Sequence, residues 1–112
     1  MNAIKIDTAK LIMLKFLKIE TEMLALEIKY LESGDLKSFK EASEKRAELD
    51  GIQRFYDATF TGMDKRQIEP LIYRTWEYKT AEKKYHELWN QHWEMKNECA
   101  EEWEQLKLAR EA

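Results

Sequence analysis

A chain of 112 residues with 19 basic and 22 acidic side chains, for a net charge of −3, has room for one modest core and not for two. Charges of both signs are interleaved throughout, which excludes a polybasic nucleic-acid arm or an acidic mimic of one. Four Trp, five Tyr and four Phe are too many apolar anchors for a disordered, solvating tail.

The 37% charged fraction, combined with only three glycines and one proline, suits long helices with solvated faces. Cys99 is the lone cysteine, so no intramolecular disulfide forms, and a reducing, cytoplasmic setting is the simplest reading. Near the N-terminus the longest apolar run, Leu11 to Leu14, is bounded by Lys10 and Lys15, far short of the ~20 apolar residues of a membrane span. The expectation is an all-α chain with no membrane association.

The first helix is predicted over residues 7–32, with Asp7 as its N-cap and Ile6 and Leu11 as a hydrophobic staple. Ser33-Gly34-Asp35 supplies both a stop and a restart, because Gly34 tolerates the left-handed conformation that closes a helix and Asp35 can cap the next one. So short a loop forces an antiparallel hairpin. The second helix is predicted over 35–61, with a weak point at Asp50-Gly51, where an internal glycine costs about 1 kcal/mol.

Beyond Gly62, Asp64 with Gln67 reads as a capping box and Met63 with Ile68 as a second staple. Pro70 lacks the N–H its turn would use, which predicts a short turn over 65–69 and a kink or fresh start at the proline. The third helix then covers 70–110, about 60 Å against about 40 Å for each of the first two. Together these elements form a single helical domain over residues 1–112: an antiparallel hairpin plus a long third helix in a three-helix, coiled-coil-like bundle.

Two apolar seams run along the first helix. Ile12, Phe16, Ile19, Met23, Leu26 and Tyr30 form one, and Leu14, Leu17, Thr21, Leu24, Ile28 and Leu31 the other, roughly 150° away at 100° per residue. A helix apolar on two sides must be covered on both. Either it lies in the middle of a three-helix monomer, or one seam meets a second copy. The third helix carries its seam through Tyr78, Ala81, Tyr85, Leu88, His92, Met95, Cys99, Trp103 and Leu106. About 10–15 of its residues should overhang the shorter helices by length alone, stranding Trp103 and Leu106. Closed symmetric pairs are the commonest soluble oligomers, so a homodimer is the expected resolution.

Chemistry-bearing constellations are sparse. His86 and His92 are six residues apart and point about 120° away from facing each other, so they do not share a metal. Glu41, Glu44 and Glu48 share a face of the second helix, and Glu98, Glu101 and Glu102 cluster late in the third. This is similar in kind to the all-α nucleotide pyrophosphohydrolases, which pair acidic motifs on neighbouring helices, although the second cluster here lacks the terminal Asp. Helical glutamates among lysines are ordinarily a solvated face with pairs such as Lys37–Glu41. Ser33, Ser38, Ser43 and Cys99 have no base at catalytic spacing, and no glycine-rich phosphate loop exists. Neither an enzyme nor a cofactor is expected. Lys79, Lys83 and Lys84 with Arg74 form a basic patch beside Tyr85, but Glu77, Glu82 and Glu87 interrupt it, which makes nucleic acid a poor partner.

Large aromatics that fall outside a seam are enriched at binding hot spots. Trp76 and Trp93 lie off the third helix's seam and Trp89 on its edge. With Trp103, and with Tyr78 and Tyr85 in support, they form the candidate partner-binding surface; the plainer alternative is that they widen the buried stripe. The functional expectation is a non-enzymatic protein-interaction module, homodimeric, acting as an adaptor or inhibitor on a larger protein, for which a phage-encoded anti-defence protein is one fitting setting. The alternatives are a self-assembling structural component, a weak nucleic-acid binder, and a carboxylate-metal enzyme.

Overall fold

The computed structural model describes the backbone of residues 3–111 and the side chains of residues 3–98 and 108. Four helices account for nearly all of it: α1 (Ala3–Ser33), α2 (Leu36–Thr59), α3 (Gly62–Tyr73) and α4 (Trp76–Glu111), with no strand among the described residues. The α1–α2 turn uses local chemistry in the predicted way. Gly34 adopts φ 70° and its N–H closes α1 on the Tyr30 carbonyl at 2.7 Å. Asp35 then accepts from the Lys37 amide at 3.1 Å and the Ser38 hydroxyl at 2.8 Å, capping α2.

Helix boundaries elsewhere depart from expectation. Asp7 is not a cap, since α1 is already helical from Ala3. No break occurs at Asp50-Gly51, and α2 passes through both. A Cβ on Gly51 would meet nothing within 4 Å, so Gly51→Ala is expected to raise stability by about 0.5–1 kcal/mol through helix propensity alone; urea denaturation would check this. The capping box sits three residues earlier than predicted. Thr61 accepts from the Asp64 amide at 3.1 Å while Asp64 accepts from the Thr61 amide at 3.3 Å, and Met63 is exposed rather than stapled.

Pro70 lies inside α3 instead of starting a new helix. Its missing N–H leaves one carbonyl of the preceding turn unbonded, and α3 ends within a turn, at Tyr73. What holds α3 across the proline is burial: Ile68 and Ile72, on either side of it, are 1% and 0% exposed. The chain turns at Arg74-Thr75, where Thr75 N–H and Oγ1 both donate to the Ile72 carbonyl, at 3.0 and 2.7 Å.

The organising element is α1. It packs against α2, α3 and α4, whereas the backbones of α2 and α4 do not approach each other. Cross-contacts set the directions. Tyr56 with Met13, Lys45 with Glu22 and Tyr30 with Phe39 run in opposite order along α1 and α2, so that pair is antiparallel. Lys10 with Glu77 and Glu27 with His92 run in the same order, so α4 is parallel to α1. Each seam of α1 therefore finds cover within one chain for part of its length: Ile12 and Tyr30 meet α2, and Leu17, Leu24 and Ile28 of the other seam are buried.

This arrangement removes one of the two reasons for expecting a second copy. The other remains: the α1–α4 register brings Ser33 level with residues near 98, so about 13 residues of α4 run on past α1, roughly 20 Å at 1.5 Å per residue. The long dimension is 65 Å and the radius of gyration 18.2 Å, against ~13 Å for a globular chain of this length. A core cluster of Ala9, Tyr56, Phe60, Ile68 and Ile72 ties α1, α2 and α3 together at the end where α3 lies.

Candidate functional site

Because α2 and α4 flank α1 without meeting, one face of α1 lies open between them. Two depressions occur along this face. The first, about 250 Å³, is lined by Ile12, Met13, Phe16, Leu17 and Glu20 of α1, by Ile52, Gln53 and Tyr56 of α2, and by Glu69, Tyr73 and Tyr78 from α3 and the start of α4. The second, about 320 Å³, lies towards the α1–α2 turn. Glu27, Tyr30 and Leu31 form its floor, Phe39, Ala42, Ser43 and Arg46 one wall, and His92 and Lys96 the other.

The two depressions differ in charge. At the second, Glu27 accepts from Arg46 at 2.9 Å and from His92 Nε2 at 2.8 Å, so its carboxylate is engaged from both sides. Burial holds the His92 imidazole below its ordinary value, against the opposing pull of Glu27, and the Lys96 and Arg46 charges add to the depression. Lys96 makes no ion pair among the described residues, and the local balance is positive. At the first, Glu69 accepts from the Tyr56 hydroxyl at 3.2 Å and the Tyr73 hydroxyl at 3.1 Å. Burial pushes the Glu20 carboxyl up, with only the Tyr85 hydroxyl acting against it. Neither carboxylate has a basic partner among the described residues. Burial also raises the three phenols that line the pocket, Tyr56, Tyr73 and Tyr78, the last to about 12, so they remain protonated hydroxyls at neutral pH.

The predicted surface is divided by this geometry. Trp76 is 76% exposed at the head of α4, on the side away from Tyr78. Trp89 and Trp93, 43% and 53% exposed, are one turn apart on the side of α4 that carries Lys96; neither lines either depression, so they border the open face as its outer lip without forming its wall. Tyr78 and Tyr85 turn inward instead: Tyr78 packs on the core cluster and on Tyr73, with ring centroids 5.1 Å apart, and Tyr85 reaches Glu20. The side chains of Trp103, Leu106, Cys99, Glu101 and Glu102 lie outside the described residues.

The chain matches no protein-family model, no curated protein and no solved structure.

Other candidate chemistry stays dispersed. Among the described residues no three His, Cys, Asp or Glu side chains come together as a metal site, and Glu44 and Glu48 are exposed along α2, with Lys45 between them bonded across to Glu22 at 3.0 Å. No helix among the described residues is long and apolar enough to cross a membrane. Sequence reasoning missed Glu20, Glu69 and Tyr73 as site residues. Glu20 was legible as an acid between two seams, but Glu69 and Tyr73 become site residues only because α3 continues through Pro70 and folds over the end of the open face.

Proposed function

We propose that the chain is a non-enzymatic interaction module that receives an amphipathic helix of a larger protein between α2 and α4, as an adaptor or an inhibitor of that protein. The observation that supports this most is the pair of depressions over α1, where α2 and α4 pack on it without their backbones meeting; an apolar depression between helices can accept a partner's helix. Tyr30, Leu31, Phe39 and Ala42 provide the apolar floor and wall, and Trp89 and Trp93 offer exposed indoles beside it, a residue type enriched at binding hot spots.

Charge narrows the occupant. With Glu27 already engaged, Arg46 and Lys96 on opposite walls favour a helix that flanks its apolar anchors with Asp or Glu. An affinity pull-down from nuclease-treated lysate tests the reading, with Trp89→Ala/Trp93→Ala as the disabled bait and Phe55→Ala, an exposed aromatic that lines neither depression, as the control. One stoichiometric partner kept by the control, lost by the double variant and cross-linked to Lys96 through an acidic side chain is the expected result. Retention by the double variant overturns the assignment of the lip. Light scattering gives the oligomeric state alongside: a mass of 13.5 kDa leaves the groove for a foreign helix, whereas twice that mass, halved in the double variant, makes a second copy of this chain the occupant.

A further inference from the structure

The first depression carries a different chemistry from the lip, and the inference from it stands apart from the docking of a helix. Several partly buried or inter-helix acids find bases: Glu22 with Lys45, Glu27 with Arg46, Glu77 with Lys10, and Asp57 with Lys65. Glu20 and Glu69 do not. Both line the same pocket, and their neighbours are tyrosine hydroxyls, which are neutral donors. An ionised carboxylate offers about four lone-pair sites. Tyr56 and Tyr73 occupy two of those on Glu69, so the acid retains capacity for a further donor and its charge is uncompensated.

The remaining wall is aromatic and thioether: Phe16, Met13 and the rings of Tyr56, Tyr73 and Tyr78. Ring faces attract ammonium groups within about 6 Å of their centroids, and the chain already shows the effect, with Lys65 Nζ 5.1 Å from the Tyr56 centroid. An anion would be repelled by two carboxylates. A neutral apolar ligand would cover them without replacing their lost water. A hard cation such as Ca²⁺ needs about six to eight oxygens, which the rings do not supply. The volume, about 250 Å³, is below the ~300 Å³ at which drug-sized pockets begin, and so suits a small ligand.

We propose that this pocket binds a primary alkylammonium group, the ammonium against Glu69 and Glu20 and the carbon chain along Phe16, Met13 and the tyrosine rings. Such a group is borne by a free aliphatic diamine or by a lysine of another protein, and the chemistry of capture is the same. Titration calorimetry at low ionic strength, with putrescine and with N-acetyl-lysine methylamide as the amines and butane-1,4-diol as the neutral isostere, tests it.

Saturable binding of at least one amine at about millimolar strength, none of the diol, and a loss of about tenfold or more in each of Glu69→Gln and Glu20→Gln are expected. The tighter of the two amines identifies the source. Glu20→Gln removes a charge that burial disfavours, so that variant retains the fold. Absence of saturation by either amine, or undiminished amine binding in both variants, overturns the proposal. Neither result depends on Trp89 or Trp93, so failure here is distinguishable from failure of the docking lip.

Discussion

Ile72→Ala is expected to destabilise the chain by about 3–4 kcal/mol, in the range for truncating a fully enclosed branched side chain, and to lower the melting temperature by more than 10 °C at roughly 4–8 °C per kcal/mol. The side chain is 0% exposed, and with Ile68 it is the means by which α3 holds on to Ala9 of α1 and to Tyr56 and Phe60 of α2. Beyond polar ties such as Lys5–Asp64, Lys65–Asp57 and Tyr56–Glu69, nothing comparable among the described residues retains α3, a 12-residue helix that contains Pro70 and is too short to be stable by itself. Its release would also carry away Glu69 and Tyr73, so the variant should lose amine binding well before it loses overall helicity. Circular dichroism melts beside calorimetry check both parts. An exposed neighbour on the same helix, Leu71→Ala, should cost less than half as much, because its side chain is 45% exposed.

Glu27→Ala is expected to cost about 2–3 kcal/mol, chiefly through the group it abandons. Arg46 is largely exposed and loses little when unpaired. His92, with 10% of its side chain exposed, is left with an N–H and no acceptor. Adding His92→Leu to Glu27→Ala should recover part of the loss, since removing both partners of a buried pair leaves no orphan.

The same pair sets a pH dependence. His92 titrates below its ordinary value because burial disfavours the imidazolium, with the Lys96 and Arg46 charges acting in the same direction and Glu27 against it. The unfolded chain therefore takes up the proton first. Stability is full above the unfolded value of about 6.5 and falls as pH drops through the interval down to the folded value. Urea denaturation across that interval should show this slope in the native chain and its disappearance in His92→Leu.

Much of the architecture was legible because α1 is amphipathic on two sides. The paired seams through Ile12–Tyr30 and Leu14–Leu31 required two covering helices, and a monomer with α1 at its centre was one of two solutions. The Gly34-Asp35 turn was equally plain, since a left-handed glycine beside a capping Asp is a local event needing no tertiary help. The region around Pro70 was not legible. Proline propensity argues for a boundary there, yet enclosed Ile68 and Ile72 hold the helix through it, and that burial depends on Ala9, some 60 residues away in sequence.

The true boundary at Arg74-Thr75 contains neither glycine nor proline, and its only marker is a threonine hydroxyl folded back onto Ile72. As a result Glu69 was assigned to a turn and Tyr73 to the start of the third helix, and Tyr78 and Tyr85, although on that helix's seam, were grouped with the exposed indoles. A helical wheel separates seam from surface but does not say which edge of the seam a third element will fold across.

The central position of α1 also has a consequence for biosynthesis. The α1–α2 hairpin is complete once Thr59 has left the ribosome, but the seam carrying Leu17, Leu24 and Ile28 has no cover until α4 is made as far as His92. At about 5–20 residues per second that apolar stripe stays bare for ~2–7 s on every nascent chain. Neighbouring chains on one polysome present identical stripes, and an α4 finished on one of them fits the hairpin of the next as well as its own. Exchange of α4 between copies is the misassembly to which this topology is most exposed, and its frequency should rise with the density of ribosomes on the message.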